Sequence, residues 1–185
     1  MIRYLTRGQQ KAFLGVLIGL DRQRDRLMFQ LMLRYGLRVQ EVRDLELKHL
    51  KLEDNSLYIR RVKRGMSQYY PLRKDDMRLI ERWIKTRAKM TYNDSPYLFI
   101  TAKSGQLSSQ LPLKLFEKYS KEAGIEGHSC HSLRHSCAVN LLDGNVDLYD
   151  VKMWLGHSNI SSTMEYLKIG TLKKKLRMSQ ILDVM

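Results

Sequence analysis

The chain of 185 residues is long enough for one sizeable domain with its own core. With 43% apolar residues it reads as an ordinary globular protein, and no run approaches the roughly 18–20 apolar residues of a membrane span. Thirty-three Lys and Arg against nineteen Asp and Glu leave a net charge of +14, and such an excess points to a polyanionic partner, because each neutralised phosphate releases condensed counterions. An anionic membrane surface is the less expected partner. The start "MIRYLTRGQQ" lacks a signal-peptide apolar core with its cleavage site, so cytoplasmic residence is expected.

The N-terminal half reads as helical. Thr6 with Gln9 forms a capping-box pattern, and Phe13, Leu14, Leu17 and Ile18 fall on one helix face. Gly19 interrupts. Asp21 is placed to cap a second helix carrying Leu27, Phe29 and Leu31 to Leu33, which Gly36 ends, and a short third helix carries Val39, Val42 and Leu45. The stretch "KHLKLEDNSLYIRRVKRGMSQYYPL" then alternates, with turn signals at Asp54-Asn55 and Gly65, predicting an antiparallel meander whose second turn lies near Lys63 to Ser67.

Helical period returns in "DDMRLIERWIKTRAKM", with Met77, Ile80, Trp83 and Ile84 as the apolar face. A loop near Asn93 to Pro96, the apolar piece "YLFI" and a Gly105 turn lead to helices at about 110–123, 132–142, 147–155 and 160–168. The tail "TLKKKLRMSQILDVM" reads as a short basic amphipathic helix. No repeat or linker divides the chain. The fold class is mainly α with a small antiparallel β-sheet, an α+β domain over residues 1–185.

"GHSCHSLRHS" packs three of the five histidines, a cysteine and an arginine into ten positions. A structural zinc site would show paired Cys or His knuckles. Here Cys130 and His131 are adjacent, His131 and His135 stand i, i+4 without a following Glu, and no second knuckle occurs, so no metal is expected. Cys130 and Cys137 read as reduced small hydrophobes. Ser132 is placed to cap "LRHSCAVNLL", with Leu133, Ala138, Leu141 and Leu142 toward the core and His128 and His135 in supporting or structural roles. His131 and Arg134 lie i, i+3 and should point the same way. A planar guanidinium beside an imidazole suits a phosphodiester.

"HSLRHSCAVNLLDGNVDLYDVKMWLGHSNISSTMEYLK" resembles the C-terminal signature of the tyrosine recombinases, the phage-integrase family: a His-x-x-Arg at a helix start, a Leu-Gly-His after the next helix, and a tyrosine nine residues on. "YGLRVQEVRDL" is similar to the family's first arginine motif, and "VKRGMSQYYPL" resembles the hairpin that carries its lysine. The resemblance, covering about Gln30 to Lys168, implies a catalytic set of Arg38, Lys63, His131, Arg134, His157 and Tyr166, with Glu41 as an acidic companion orienting its neighbours.

It further implies a tyrosine-type DNA strand transferase. Tyr166 is the expected nucleophile, Arg38 and Arg134 hold the phosphate oxygens, and Lys63 is the general acid. His131 and His157 contact the phosphate or move the tyrosine proton. Neither metal nor cofactor is implied. The implied partner is double-stranded DNA, met by a homo-oligomer that is a tetramer on two DNA sites and a monomer or dimer off DNA, with DNA-bending accessory proteins.

The first-arginine motif begins after some 35 residues, so the separate N-terminal clamp domain of most family members is expected to be missing here, the chain being either naturally a catalytic domain alone, like the fimbrial phase-variation recombinases, or an excised fragment. Residues 170–185 are expected to pack in cis or to exchange between protomers. The activity expected is integration, excision or inversion of DNA. A type IB topoisomerase-like relaxing activity, or a non-catalytic DNA-binding regulator with this fold, are the alternatives.

Overall fold

The structure is a computed structural model and describes residues 2–19, 21–62 and 65–166. Helix α1 (Arg7–Gly15) starts at a closed capping box: Thr6 Oγ1 accepts from the Gln9 amide at 3.3 Å, and Gln9 Oε1 accepts from the Thr6 amide at 2.9 Å. The helix ends at Gly15, earlier than the apolar spacing predicts. Leu17 therefore reaches the core from the following turn, and Ile18 is left 73% exposed.

Helix α2 (Gln23–Tyr35) buries every residue from Leu27 to Leu33, and Tyr35 as well. A helix apolar nearly all round must be surrounded. It packs against α1, α3 (Val39–Arg43), α4 (Lys74–Arg87) and α6 (Cys130–Asp143). Phe29 of α2 meets Phe13 of α1 and Phe116 of α5 (Leu111–Glu122) at ring-centroid distances of 5.2 and 6.2 Å. Asp21 does not cap α2. The N-cap is Arg22, which makes no side-chain cap bond, because the helix begins one residue later than the sequence suggests.

Strands β1 (Leu50–Lys51), β2 (Ser56–Ile59) and β3 (Gln68–Pro71) form the expected antiparallel meander, with Leu57 opposite Tyr70 and Ile59 opposite Gln68. Leu57, Ile59 and Tyr70 face the core. Asn55 takes the left-handed conformation (φ 47°) at the first turn, which its short polar side chain tolerates. Strand β2 ends at Ile59 and β3 begins at Gln68, and Lys63 between them lies outside the described residues. From α4, Ile80 and Trp83 enter the core, and Trp83 Nε1 donates to the Leu98 carbonyl at 2.8 Å. "YLFI" buries Leu98, Phe99 and Ile100, joined to the rest by the Leu98 amide donating to the Leu45 carbonyl at 2.7 Å.

Helix α6 begins after Ser129, whose amide donates to Ser132 Oγ at 3.2 Å. Ser132 is thus the third helical residue and not the cap, and the helix gains a turn that includes His131. Helix α7 (Leu148–Leu155) is capped by Asp147, which accepts from the Asp150 amide at 2.9 Å. Gly156 ends it in the left-handed conformation, as Gly36 ends α2. A helical segment follows at 161–166 and places Tyr166 in a second apolar cluster with Cys137, Ala138, Val139, Val151 and Leu155. Both cysteines are free and buried. The tail helix expected over 170–185 lies outside the described residues. Among those described, no helix is long and apolar enough to cross a membrane.

Candidate active site

The site forms where α2 and α7 end. Each helix stops at a left-handed glycine, so the last carbonyls of each have no intrahelical partner and carry the negative end of a helix dipole. Two arginines satisfy them. Arg61, from the loop after β2, donates through Nη2 to the Tyr35 carbonyl at 2.8 Å and the Trp154 carbonyl at 2.7 Å. Its Nη1 reaches the Gly36 carbonyl at 3.3 Å. Arg134, from α6, donates through Nη2 to the Leu155 carbonyl at 2.8 Å and through Nη1 to that of Gly36.

The glycines are needed for space as well as for φ. At Gly156 (φ +65°), an added Cβ would lie 2.6 Å from Arg61 Cγ and 2.9 Å from its Nε. The glycine of Leu-Gly-His is therefore the floor on which the Arg61 side chain lies.

Glu41 binds the arginines together. It is 2% exposed. Its Oε1 accepts from Arg38 Nη1 at 2.8 Å and from the Val62 amide at 3.3 Å, and its Oε2 accepts from Arg61 Nη1 at 2.8 Å and from the Arg38 amide at 2.9 Å. Arg134 Nη1 stands 3.9 Å from the same Oε2. Burial pushes the Glu41 carboxyl up, but Arg61, the Arg38 amide and Arg134 outweigh it and hold its pKa below the ordinary value.

Three guanidinium groups thus share this carboxylate in a largely dehydrated place. Arg134 shows the resulting strain. Burial first, then the like charges of Arg38 and Arg61, bring its pKa down to about 10. It remains charged at neutral pH, and a guanidinium so placed suits a phosphate oxygen.

His157, after α7, has its Nδ1 2.8 Å from Thr163 Oγ1. Burial, with Arg134, Arg38 and Arg61 adding to it, pushes its pKa down to about 3, so the ring is neutral at physiological pH. Tyr166 is 3% exposed. Burial raises its phenol to about 12 against the pull of Arg134, so the hydroxyl keeps its proton.

The fold accordingly gathers Arg38, Glu41, Arg134, His157 and Tyr166. His131 is exposed on the first turn of α6, its ring 5.7 Å from that of His135, whereas Arg134 is 3% exposed and turned into the helix ends. An i, i+3 pair is offset around the helix, and here that offset separates solvent from interior. His128 sits beside Arg3, away from this cluster.

Two residues were missed in the sequence. Arg61 stands two places before Lys63 in "RRVKRG" with no motif to mark it. His135, read as supporting or structural, places Nδ1 2.7 Å from the Tyr166 hydroxyl. Its position directly after Arg134 was the available signal. Among the described residues, no cluster of three or more His, Cys, Asp or Glu side chains could hold a metal.

Residues 3–171 match the family model described as "Phage integrase family". The chain belongs to the phage integrase family. This tyrosine recombinase is 34% identical over 167 residues to the type 1 fimbriae regulatory protein FimE of Escherichia coli K12, covering 89% of this chain and 84% of that protein. It is 32% identical over 184 residues to tyrosine recombinase XerA of Pyrococcus horikoshii, covering 97% of this chain and 62% of that one.

Among solved structures, it resembles XerH site-specific recombinase in a post-cleavage complex with palindromic difH substrate (TM-score 0.82, 23% identity, 96% of this chain and 53% of that one). XerA recombinase also resembles it (TM-score 0.80, 21% identity, 90% and 60%). At these identities the likeness shows the fold. The integrase-family chain spans somewhat over half the length of those two solved chains.

Proposed function

We propose that this tyrosine recombinase cuts and rejoins double-stranded DNA at specific sites through a 3′-phosphotyrosyl intermediate, with Tyr166 as the nucleophile. The observation that carries the reading is the cluster of half-buried Arg38 with buried Arg61 and Arg134, all sharing Glu41 beside a buried tyrosine. Such an excess of fixed positive charge stabilises an anion, and most of all the extra charge of a pentacoordinate phosphorane.

In the proposed step, Oη of Tyr166 attacks phosphorus and the bond to the 5′-oxygen breaks. Arg38 and Arg134 hold the non-bridging oxygens, and Lys63 protonates the departing 5′-oxygen as general acid. A guanidinium carries five N–H donors. The Gly36 and Leu155 carbonyls take one bond each from Arg134 Nη1 and Nη2 in this structure. Neutral His157, held by Thr163, donates to the phosphate through its other nitrogen. Arg61, buried among carbonyls and Glu41, keeps the arginines in place and does not itself reach the phosphate. The phosphotyrosyl bond preserves the energy of the broken bond, so a 5′-hydroxyl reverses the step without a cofactor.

Assembly as a homotetramer on two DNA sites, help from DNA-bending proteins and residence at the nucleoid belong to the same proposal. The test uses a nicked suicide duplex whose sequence is selected from random DNA for binding to the purified protein. The parent chain should form a covalent adduct stable to detergent, and Tyr166→Phe should form none. An undiminished adduct in the variant would sink the assignment.

A further inference from the structure

We infer that His135, and not His131, is the group that takes the proton of Tyr166 as its oxygen attacks the phosphate. This rests on the proposed role of Tyr166 as nucleophile.

The geometry is direct. His135 Nδ1 lies 2.7 Å from the Tyr166 hydroxyl, with ring centroids 5.6 Å apart and planes at 54°. The protonated phenol must donate, so Nδ1 accepts and the ring carries its own proton on Nε2. His131 is one turn earlier on α6, exposed, with its ring 5.7 Å from that of His135. His157 directs its Nδ1 to Thr163 Oγ1 at 2.8 Å. His135 also follows Arg134 in the chain, so one helix turn presents both the phosphate ligand and the proton acceptor.

The charges around His135 explain when transfer occurs. His131 and Arg134 on α6 act against its protonation, and Glu165 on the 161–166 segment favours it. Burial, then these two neighbours, push the imidazole down to about 4, while the phenol stands near 12. Without DNA the proton therefore stays on Tyr166. A phosphodiester bound at Arg38 and Arg134 offsets the field that depresses His135, and the forming Oη–P bond makes the phenol strongly acidic. The O–H electron pair then becomes the Oη–P bond, the proton passes to Nδ1 to give an imidazolium, and the 5′-oxygen departs with the proton of the general acid. Rejoining returns each proton to its source.

The experiment measures single-turnover adduct formation on the selected nicked duplex across pH for the parent, His135→Gln and His135→Ala. Glutamine keeps an acceptor atom but cannot take a proton. Both variants should cleave about 100-fold more slowly or worse, the scale of a lost general base, while holding DNA noncovalently as the parent does. Added imidazole should speed His135→Ala and leave His135→Gln unchanged.

A parental rate in His135→Gln would overturn the inference, reducing the contact to positioning. A faster variant would overturn it too, making the contact a restraint. Should either variant fail to fold, ¹⁵N-histidine NMR of the parent decides: a proton on His135 Nδ1 in the DNA-free protein would refute the assignment, and an Nε2–H tautomer supports it. No adduct from the parent would instead sink the Tyr166 assignment, whereas a normal parent with an equally fast His135→Gln sinks only this inference.

Discussion

Glu41→Gln is the substitution that tests the arginine cluster most directly. The carboxylate accepts four hydrogen bonds at 2.8–3.3 Å, from Arg38 Nη1, the Arg38 amide, Arg61 Nη1 and the Val62 amide. The amide would keep one acceptor oxygen and turn an NH2 group toward donors that have nothing to accept them. Arg61, whose side chain is 0% exposed, would lose its counter-charge where water cannot replace it. Breaking a buried pair by removing one partner costs about 3–5 kcal/mol. For a chain of this size that is a fall in Tm of roughly 6–20 °C.

Urea and thermal unfolding followed by circular dichroism at pH 7 would measure it. The sign with pH is fixed by the lowered pKa of Glu41. Its contribution is complete above the unfolded value of about 4.3 and is lost as pH falls through the lower folded value. The gap between parent and variant should therefore narrow in acid, where protonated Glu41 resembles the amide. Equal midpoints at pH 7 would refute the view that Glu41 neutralises the cluster.

Gly156→Ala should cost at least about 1–3 kcal/mol, since it forces a side chain into a left-handed backbone and onto Arg61, and it should lower adduct formation; a variant as stable and active as the parent would contradict the packing of Arg61 on that glycine. Acid should destabilise the fold well before the carboxylates titrate. His157 is held near 3 when folded and titrates near 6.5 when unfolded, so the unfolded chain takes the proton first. Stability is complete above pH 6.5 and is lost toward pH 3, by up to about 1.4 kcal/mol per pH unit from this residue. Urea midpoints at pH 7.5, 6 and 5 check it, and a flat series would refute the buried neutral ring.

Much of the fold was legible because its signals are local. The capping box at Thr6, the helix-ending glycine at Gly36, the alternation around Tyr58 and the helical period of α4 each need only a few neighbouring residues. Errors fell where local signals compete. Asp21 and Ser132 are plausible caps by type, but the chain enters each helix at a different residue. Ile18 fits an apolar face of a helix that stops before reaching it.

The sequence by itself determined the fold class, the family, and the residues whose type and spacing form a motif, because spacing along a helix or hairpin is a property of the chain alone. Only the tertiary structure decided which of those residues meet. Arg61 and Glu41 pair from 20 positions apart, and His135 and Tyr166 from 31, across contacts that no local period encodes. Burial is likewise a property of the assembled core. It separates Arg134 from His131 on one helix turn, keeps His157 neutral, and turns a histidine read as supporting into the partner of the tyrosine hydroxyl.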